Sequence, residues 1–212
     1  MSLEEQSQHL LDAFEAHSLT RIRAVLDGGF DIHTPLNGKS AVTSLVEGSG
    51  RGPVAVIGTG GVGKAIAFAL ADLGVSEIRI FDTDRAKVEH LVALLQGKLT
   101  VRIAASVAEA LDGAVGVVNG TPVGMTPSKG TPVPDELLHA GLWVADAVYS
   151  PLWTPLLKAA RATGAKVMTG RDLAIYQAAD AFELFTGLTP STAEMGIAFD
   201  AVMAKRYPAN AA

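Results

Sequence analysis

From residue 54 onward the chain alternates short β-branched apolar runs with Ala- and Leu-rich stretches of helical length, and no other property of the sequence limits the fold as tightly. The runs at 54–57, 77–81, 101–104, 114–119, 142–147 and 165–168 are too short for helices. They are also too continuously apolar for a sheet with one wet face, so they predict a parallel sheet covered on both sides. Between and after them the pattern predicts helices over 62–73, 84–95, 106–111, 135–140, 155–163, 172–185 and 192–205, with Asp172 and Thr192 as caps. Strand alternating with helix builds a doubly wound α/β domain, with an expected strand order of 3-2-1-4-5-6.

The first strand runs straight into Gly58-Thr-Gly-Gly-Val-Gly63, which opens the first helix. Each glycine has a physical reason: Gly58 for the tight turn, Gly60 for close approach of backbone to a pyrophosphate, Gly63 for close packing of helix on strand. Thr59, Gly61 and Val62 complete the turn, and the exposed N–H groups of the helix start are suited to a diphosphate. The second strand ends in Asp82, where a carboxylate can accept both hydroxyls of an adenosine ribose. Together these features predict a Rossmann-like dinucleotide site. The same residues followed by Lys64 also match the phosphate loop of nucleoside triphosphatases, but that loop needs a Ser or Thr where this chain has Ala65. Asp82, with Asp84 beside it, would repel a 2′-phosphate and favours NAD over NADP. Arg85 is the counterweight, able to stack on adenine or pair with a phosphate, or else to pair with Glu89 one helical turn on.

Composition removes several function classes. The 212 residues suggest about one and a half domains at roughly 150 residues each. With 49% hydrophobic and 18% charged residues, the chain can bury a core. Seventeen Lys and Arg against 22 Asp and Glu give a net charge of -5, so there is no basic surplus for a nucleic acid partner. The absence of cysteine excludes a disulfide framework, a thiolate nucleophile and any Cys-ligated metal. Five scattered histidines show no ligand spacing, so no metal is expected. Charges such as Asp72 interrupt every apolar stretch before the ~20 residues of a membrane span. The acidic start, Met1-Ser-Leu-Glu-Glu, is unlike a secretory signal and points to the cytoplasm.

Residues 1–47 have a different character: two short helical patterns, 9–17 and 19–26, closed by Gly28-Gly29 and followed by the turn-like stretch 31–38. Leu10-Leu11-x-Ala13, Val25-Leu26-Asp27-x-Gly29-x-Asp31-Ile32 and Asn37-Gly38-x-Ser40 resemble an ankyrin repeat, with Ala41 where that family has proline. About one and a half units of a ~33-residue period are too few to fold as a stack. Residues 48–53, rich in glycine, read as a linker before the dinucleotide-binding domain of 54–212.

Three later stretches are more specific than the glycine turn. They are Val117-Val-Asn-Gly-Thr-Pro-Val-Gly-Met125, Asp146-Ala-Val-Tyr149-Ser-Pro-Leu-Trp-Thr154, and the run from Gly170-Arg-Asp-Leu-Ala-Ile-Tyr-Gln177 to Gly187. In this order they closely resemble the C-terminal, NAD(P)-binding half of shikimate and quinate dehydrogenases, over about residues 53–205. The resemblance implies hydride transfer between a nicotinamide and a cyclic hydroxy acid, the small-molecule partner. It places Asn119, Thr121, Pro122, Gly124 and Met125 in a turn beside the dinucleotide, and Val148 and Tyr149 where the nicotinamide would lie. Gly170 and Leu173 would cover the nicotinamide, with Leu173 standing where the family more often has methionine. Gln177, together with Tyr149, would reach a substrate hydroxyl or carboxylate.

In that family the other half carries a general acid–base lysine in an Asn-x-Thr-x-Pro-x-Lys motif and an aspartate in an Asn-Thr-Asp motif. Neither is present in these residues. The nearest approach is Asp31-Ile-His-Thr-Pro-Leu-Asn-Gly-Lys39, with two extra residues before the lysine, which makes Lys39 a weak catalytic candidate. The catalytic base is therefore unassigned. A second reading stays open at this point: a non-catalytic nucleotide-binding or protein-interaction module, or a recombined or engineered chain in which a helical stub replaces the substrate domain. The sequence also leaves open whether the chain forms a homo-oligomer.

Overall fold

The computed structural model describes Val46 and residues 51–207. The ankyrin-like stretch, Lys39 and linker residues 48–50 lie outside the described residues. The strands are β1 Val54–Ile57, β2 Glu77–Phe81, β3 Thr100–Ile103, β4 Gly116–Asn119, β5 Trp143–Asp146 and β6 Lys166–Met168. They form one six-stranded sheet in the order β3-β2-β1-β4-β5-β6, all parallel. The helices are α1 Gly61–Asp72, α2 Arg85–Leu95, α3 Val107–Leu111, α4 Pro155–Ala162, α5 Gly170–Thr186 and α6 Thr192–Arg206. This is the doubly wound, Rossmann-like architecture that the alternation predicts.

The described residues divide into two compact units, one holding Val46 and 51–174 with 202–207 and the other 175–201. In the first, alternate side chains of β1 enter two separate cores. Val54 and Val56 pack with Ile66, Leu70, Ile78 and Leu91, while Ala55 and Ile57 pack with Val117, Val144, Leu156 and Leu157. A strand with both faces covered must be apolar throughout, which is why β1, β4 and β5 are buried along their whole length. β3 and β6, at the sheet edges, carry exposed positions. Register is pinned at the centre, where Gly116 pairs with Trp143. A Cβ on Gly116 would lie 1.9 Å from Trp143 Cε2, so only glycine leaves room for the indole.

Side-chain caps begin α2, α3 and α4, and a fourth begins α6. Asp84 accepts from Lys87 N–H (3.3 Å), Ser106 from Glu109 N–H (3.1 Å) and Thr154 from Leu157 N–H (3.3 Å). Two expected caps are different in the structure. α5 begins at Gly170, so Asp172 lies inside its first turn. Ser191, one residue before α6, accepts from Glu194 N–H (3.2 Å), which makes Ser191 and not Thr192 the cap. The helix expected over 135–140 is only a single 3-10 turn, Asp135–Leu137. Leu138 after it is already extended (φ -89°, ψ 136°), which ends the turn after three residues. In the second unit, Ile175, Ala179 and Gly196 are buried, and the connection after α5 is tied back by Leu188 N–H donating to Thr186 Oγ1 at 3.1 Å.

Candidate functional site

The turn from β1 into α1 is shaped by contacts that only glycine permits. Gly58 has a φ of +96° and donates its N–H to Phe81 O at 2.8 Å, tying the end of β1 to β2. A Cβ on Gly63 would stand 2.0 Å from Gly58 O, so the first turn of α1 packs directly on the glycine turn. Gly60 is different: it is the N-cap of α1, and a Cβ there would meet nothing within 4 Å. No side chain caps α1. The N–H groups of its first turn face a space the protein leaves clear, which suits an anion brought close to backbone.

Asp82, just beyond β2, is wired to this turn. Its Oδ2 accepts from Thr59 N–H and from Thr59 Oγ1, both at 2.7 Å, and its Oδ1 accepts from Asp84 N–H at 2.9 Å. Partial burial alone would raise the carboxyl, but the bonds from the Asp84 N–H and from Thr59 outweigh it and hold Asp82 below the ordinary carboxylate range. Thr59 itself is fully buried. The two nearby cations are already paired: Arg85 with Glu89 at 2.9 Å, and Lys87 with Asp84 at 3.1 Å.

On the other side of β1, the ends of β4 and β5 share a buried polar network. Asn119 Nδ2 donates to Asp146 Oδ1 (2.8 Å) and to Val123 O (3.2 Å), while its Oδ1 accepts from Thr121 N–H (2.9 Å) and Thr121 Oγ1 (2.7 Å). The carboxamide thereby uses both donors and both acceptor positions. Asp146 in turn accepts from Val148 N–H (2.9 Å) and Thr154 Oγ1 (2.7 Å). Burial pushes the Asp146 carboxyl up, against the lowering effect of the bonds from Thr154, Val148 and Asn119. The Asn-x-Thr-Pro turn, the β5 end and the α4 cap are thus held by one fully buried cluster.

Between the glycine turn and this cluster lies a cleft of about 390 Å³, within the roughly 300–1,000 Å³ of ligand pockets. Gly61 and Val62 line it on one side, Thr121, Pro122 and Met125 on another, and Val148 and Tyr149 on a third. Met125 and Tyr149 are about half exposed there, at 46% and 47%. Thr59 and Asn119 do not line the cleft; they hold its walls. Gly124, with a φ of +94°, turns the chain between the lining residues Pro122 and Met125. Gly170 sits against the end of β5, where a Cβ would come within 2.6 Å of Val148 O, and Leu173 follows half-buried in the first turn of α5. Gln177 is exposed on α5, in the second unit. Four further lining residues, Gly120, Ala147, Ser150 and Arg206, are absent from the sequence-based expectation. The first three lie within or beside the motifs quoted above, whereas nothing local marks Arg206. Among the described residues, no group of three or more His, Asp or Glu could hold a metal ion, and no helix is long and apolar enough to cross a membrane.

No protein-family model matches the chain. Among curated proteins it is 40% identical over 147 residues to a shikimate dehydrogenase (NADP(+)) of Streptomyces avermitilis, covering 67% of this chain and 50% of that one. It is also 40% identical over 151 residues to a quinate/shikimate dehydrogenase (NAD(+)) of Corynebacterium efficiens, covering 69% of this chain and 53% of the relative. Among solved structures, quinate dehydrogenase from Corynebacterium glutamicum in complex with NAD aligns with a TM-score of 0.70 and 36% identity, over 76% of this chain and 58% of that one. A shikimate 5-dehydrogenase from Thermus thermophilus, in complex with NADP(H) and shikimate, aligns with a TM-score of 0.63 and 31% identity over 76% of this chain and 59% of that one. The chain spans about half the length of these curated relatives.

Proposed function

From the similarity of this chain, in sequence and in fold, to part of the shikimate and quinate dehydrogenases, we propose that residues 54–212 form a dinucleotide-binding domain, distinct from 1–47 and the linker 48–53, and that its cofactor is NAD. The observation that carries this reading is the uncapped start of α1, where Gly61 and Val62 line the cleft and a Cβ on Gly60 would meet nothing within 4 Å. In this reading Gly58 to Gly63 receive the diphosphate on backbone N–H groups, and Asp82 accepts the adenosine ribose hydroxyls. Thr121, Pro122, Met125, Val148 and Tyr149 form the nicotinamide wall, with Gly170 and Leu173 at its rim. The bound nicotinamide supplies the acceptor for a hydride from the carbinol of a shikimate- or quinate-type acid. Tyr149, in the cleft wall, is the residue assigned to that acid.

Asp82 supports NAD over NADP. It is held ionised by three donors, Asp84 stands beside it, and the neighbouring cations Arg85 and Lys87 are already paired with carboxylates. A 2′-phosphate would meet negative charge with no free cation from these residues to offset it. The curated relatives carry either specificity in their names, so the point needs a direct test. Titration of both cofactors into the wild type and Asp82→Ala should show NAD at least about tenfold tighter for the wild type. The two affinities should converge in the variant. Equal affinities in the wild type would overturn the specificity, and no binding of either cofactor would overturn the function.

A further inference from the structure

One strong cation faces the cleft without a role in the reading above. Arg206, the last residue of α6, lines the cleft together with Gly61, Thr121 and Tyr149. No other Arg or Lys lines it, and neither does any Asp or Glu. Among the described residues, no carboxylate forms an ion pair with Arg206. Its position is not left to a loose helix end. The next residue, Tyr207, donates its N–H to Met203 O at 2.8 Å, and its hydroxyl is hydrogen-bonded to Ser150 Oγ, a group on another residue lining the same cleft. Thr126 N–H donates to Ser150 O at 2.9 Å, tying the loop after β4 to the same residue. The end of α6 is therefore pinned to the loops after β4 and β5, and the pin holds the neighbouring guanidinium at the cleft.

A guanidinium offers five donors in a planar fork and binds carboxylate or phosphate oxygens in preference to neutral groups. The guanidinium lies over the Tyr207 ring, 5.9 Å from its centroid, and a cleft with one cation that has no carboxylate partner, no lining carboxylate and an uncapped helix start is matched to an anionic ligand. We propose that Arg206 is an anion-binding residue of this cleft, positioned by the Tyr207–Ser150 hydrogen bond, and that it pairs with an oxyanion of the bound reactants. Two sources share that chemistry: the diphosphate of the dinucleotide and the carboxylate of the hydroxy acid. The inference rests on the function proposed above.

Calorimetric titration of the full chain tests it and separates the sources. If Arg206 pairs with the diphosphate, Arg206→Gln weakens NAD and ADP-ribose equally, by roughly tenfold, and leaves adenosine unchanged. If it pairs with the acid, Arg206→Gln leaves NAD unchanged and weakens quinate or shikimate, titrated in the presence of NAD, by a similar factor. Arg206→Lys, which keeps the charge but not the fork, should recover part of the loss. Tyr207→Phe should weaken the same ligand as Arg206→Gln, by less, because it frees the guanidinium without removing it. Affinities within twofold of the wild type for every ligand in both Arg206 variants would overturn the proposal while leaving NAD binding intact. If the wild type binds no dinucleotide, the proposed function falls on its own. Inorganic pyrophosphate and quinate then decide this inference, which survives only if the wild type binds one of them and Arg206→Gln loses it.

Discussion

Asp146 is a carboxylate with no solvent access, and three donors converge on it: the Asn119 carboxamide, the Val148 N–H and the Thr154 hydroxyl. Removing the acceptor leaves those donors buried without partners, each costing about 1–3 kcal/mol where water does not replace the lost group. Asp146→Ala should therefore destabilise the fold by roughly 3 kcal/mol, read as a lower urea midpoint at unchanged slope. Asp146→Asn should cost much less. Its Oδ1 can keep the bonds from Asn119 and Val148, and its Nδ2 can donate to Thr154 Oγ1. The pH dependence has a definite sign. Because burial raises the folded-state value of Asp146 above 3.8, the folded state takes up the proton first as acid is added. Wild-type stability relative to Asp146→Asn should rise as pH falls from the folded value towards 3.8, by at most about 1.4 kcal/mol per pH unit, and level off below. Asp82 has the opposite shift. Its folded value lies below 3.8, so its contribution is complete above 3.8 and is lost as pH falls through the folded value. Stability relative to Asp82→Asn should shrink only in that more acidic window, and urea unfolding across pH 2–7 separates the two groups (a range bracketing the ordinary carboxylate value).

The β1–α1 turn is where element packing and ligand binding ask different things of adjacent glycines. Gly63→Ala drives a methyl to 2.0 Å from a backbone oxygen and must push the helix off the turn, so it should destabilise by roughly 2 kcal/mol or more. Gly60→Ala meets open space and keeps an allowed extended conformation (φ -64°), so its melting temperature should stay close to the wild type. If the turn holds a diphosphate, Gly60→Ala nevertheless loses NAD affinity. Thermal melts and titrations on the pair check both halves, and unimpaired NAD binding by a folded Gly60→Ala protein would remove Gly60 from the site. The same contrast explains what was legible in the sequence. Strands buried on two faces leave continuous apolar runs, so six strands and their order could be inferred, with ends displaced by a residue or two at β3, β4, β5 and β6. The Asn-x-Thr-Pro and Asp-x-Val-Tyr motifs marked the cleft walls. Their partnership was not visible, because Asn119 and Asp146 are 27 residues apart and meet only when β4 pairs with β5. Arg206 is harder still: its place at the cleft follows from a side-chain bond spanning 57 residues, which no local pattern announces.

At the scale of the whole molecule, the question is whether a site that can hold a dinucleotide can also oxidise an alcohol. A carbinol gives up its hydride only if the hydroxyl proton leaves as well, and a positioned base contributes typically ~10²–10⁴-fold to that step. The cleft offers no group poised for it: its ionisable lining residues are Tyr149 and Arg206, and an arginine stays protonated at any working pH. The 212 residues contain neither an Asn-x-Thr-x-Pro-x-Lys nor an Asn-Thr-Asp sequence, and the chain spans about half the length of the curated relatives it matches. Holding one reactant also forgoes the gain from fixing both in register, which reaches several kcal/mol of the barrier in well-oriented reactions. This chain alone should therefore bind NAD while forming NADH from quinate or shikimate at a rate indistinguishable from a protein-free control. Following NADH absorbance at saturating cofactor, beside the binding titration, reads both at once. Clear acid-dependent turnover would mean that a base lies within these residues. Lys39 is the first to examine, since Lys39→Gln would then abolish the turnover while leaving NAD affinity unchanged, and retained turnover in that variant would direct the search to Tyr149.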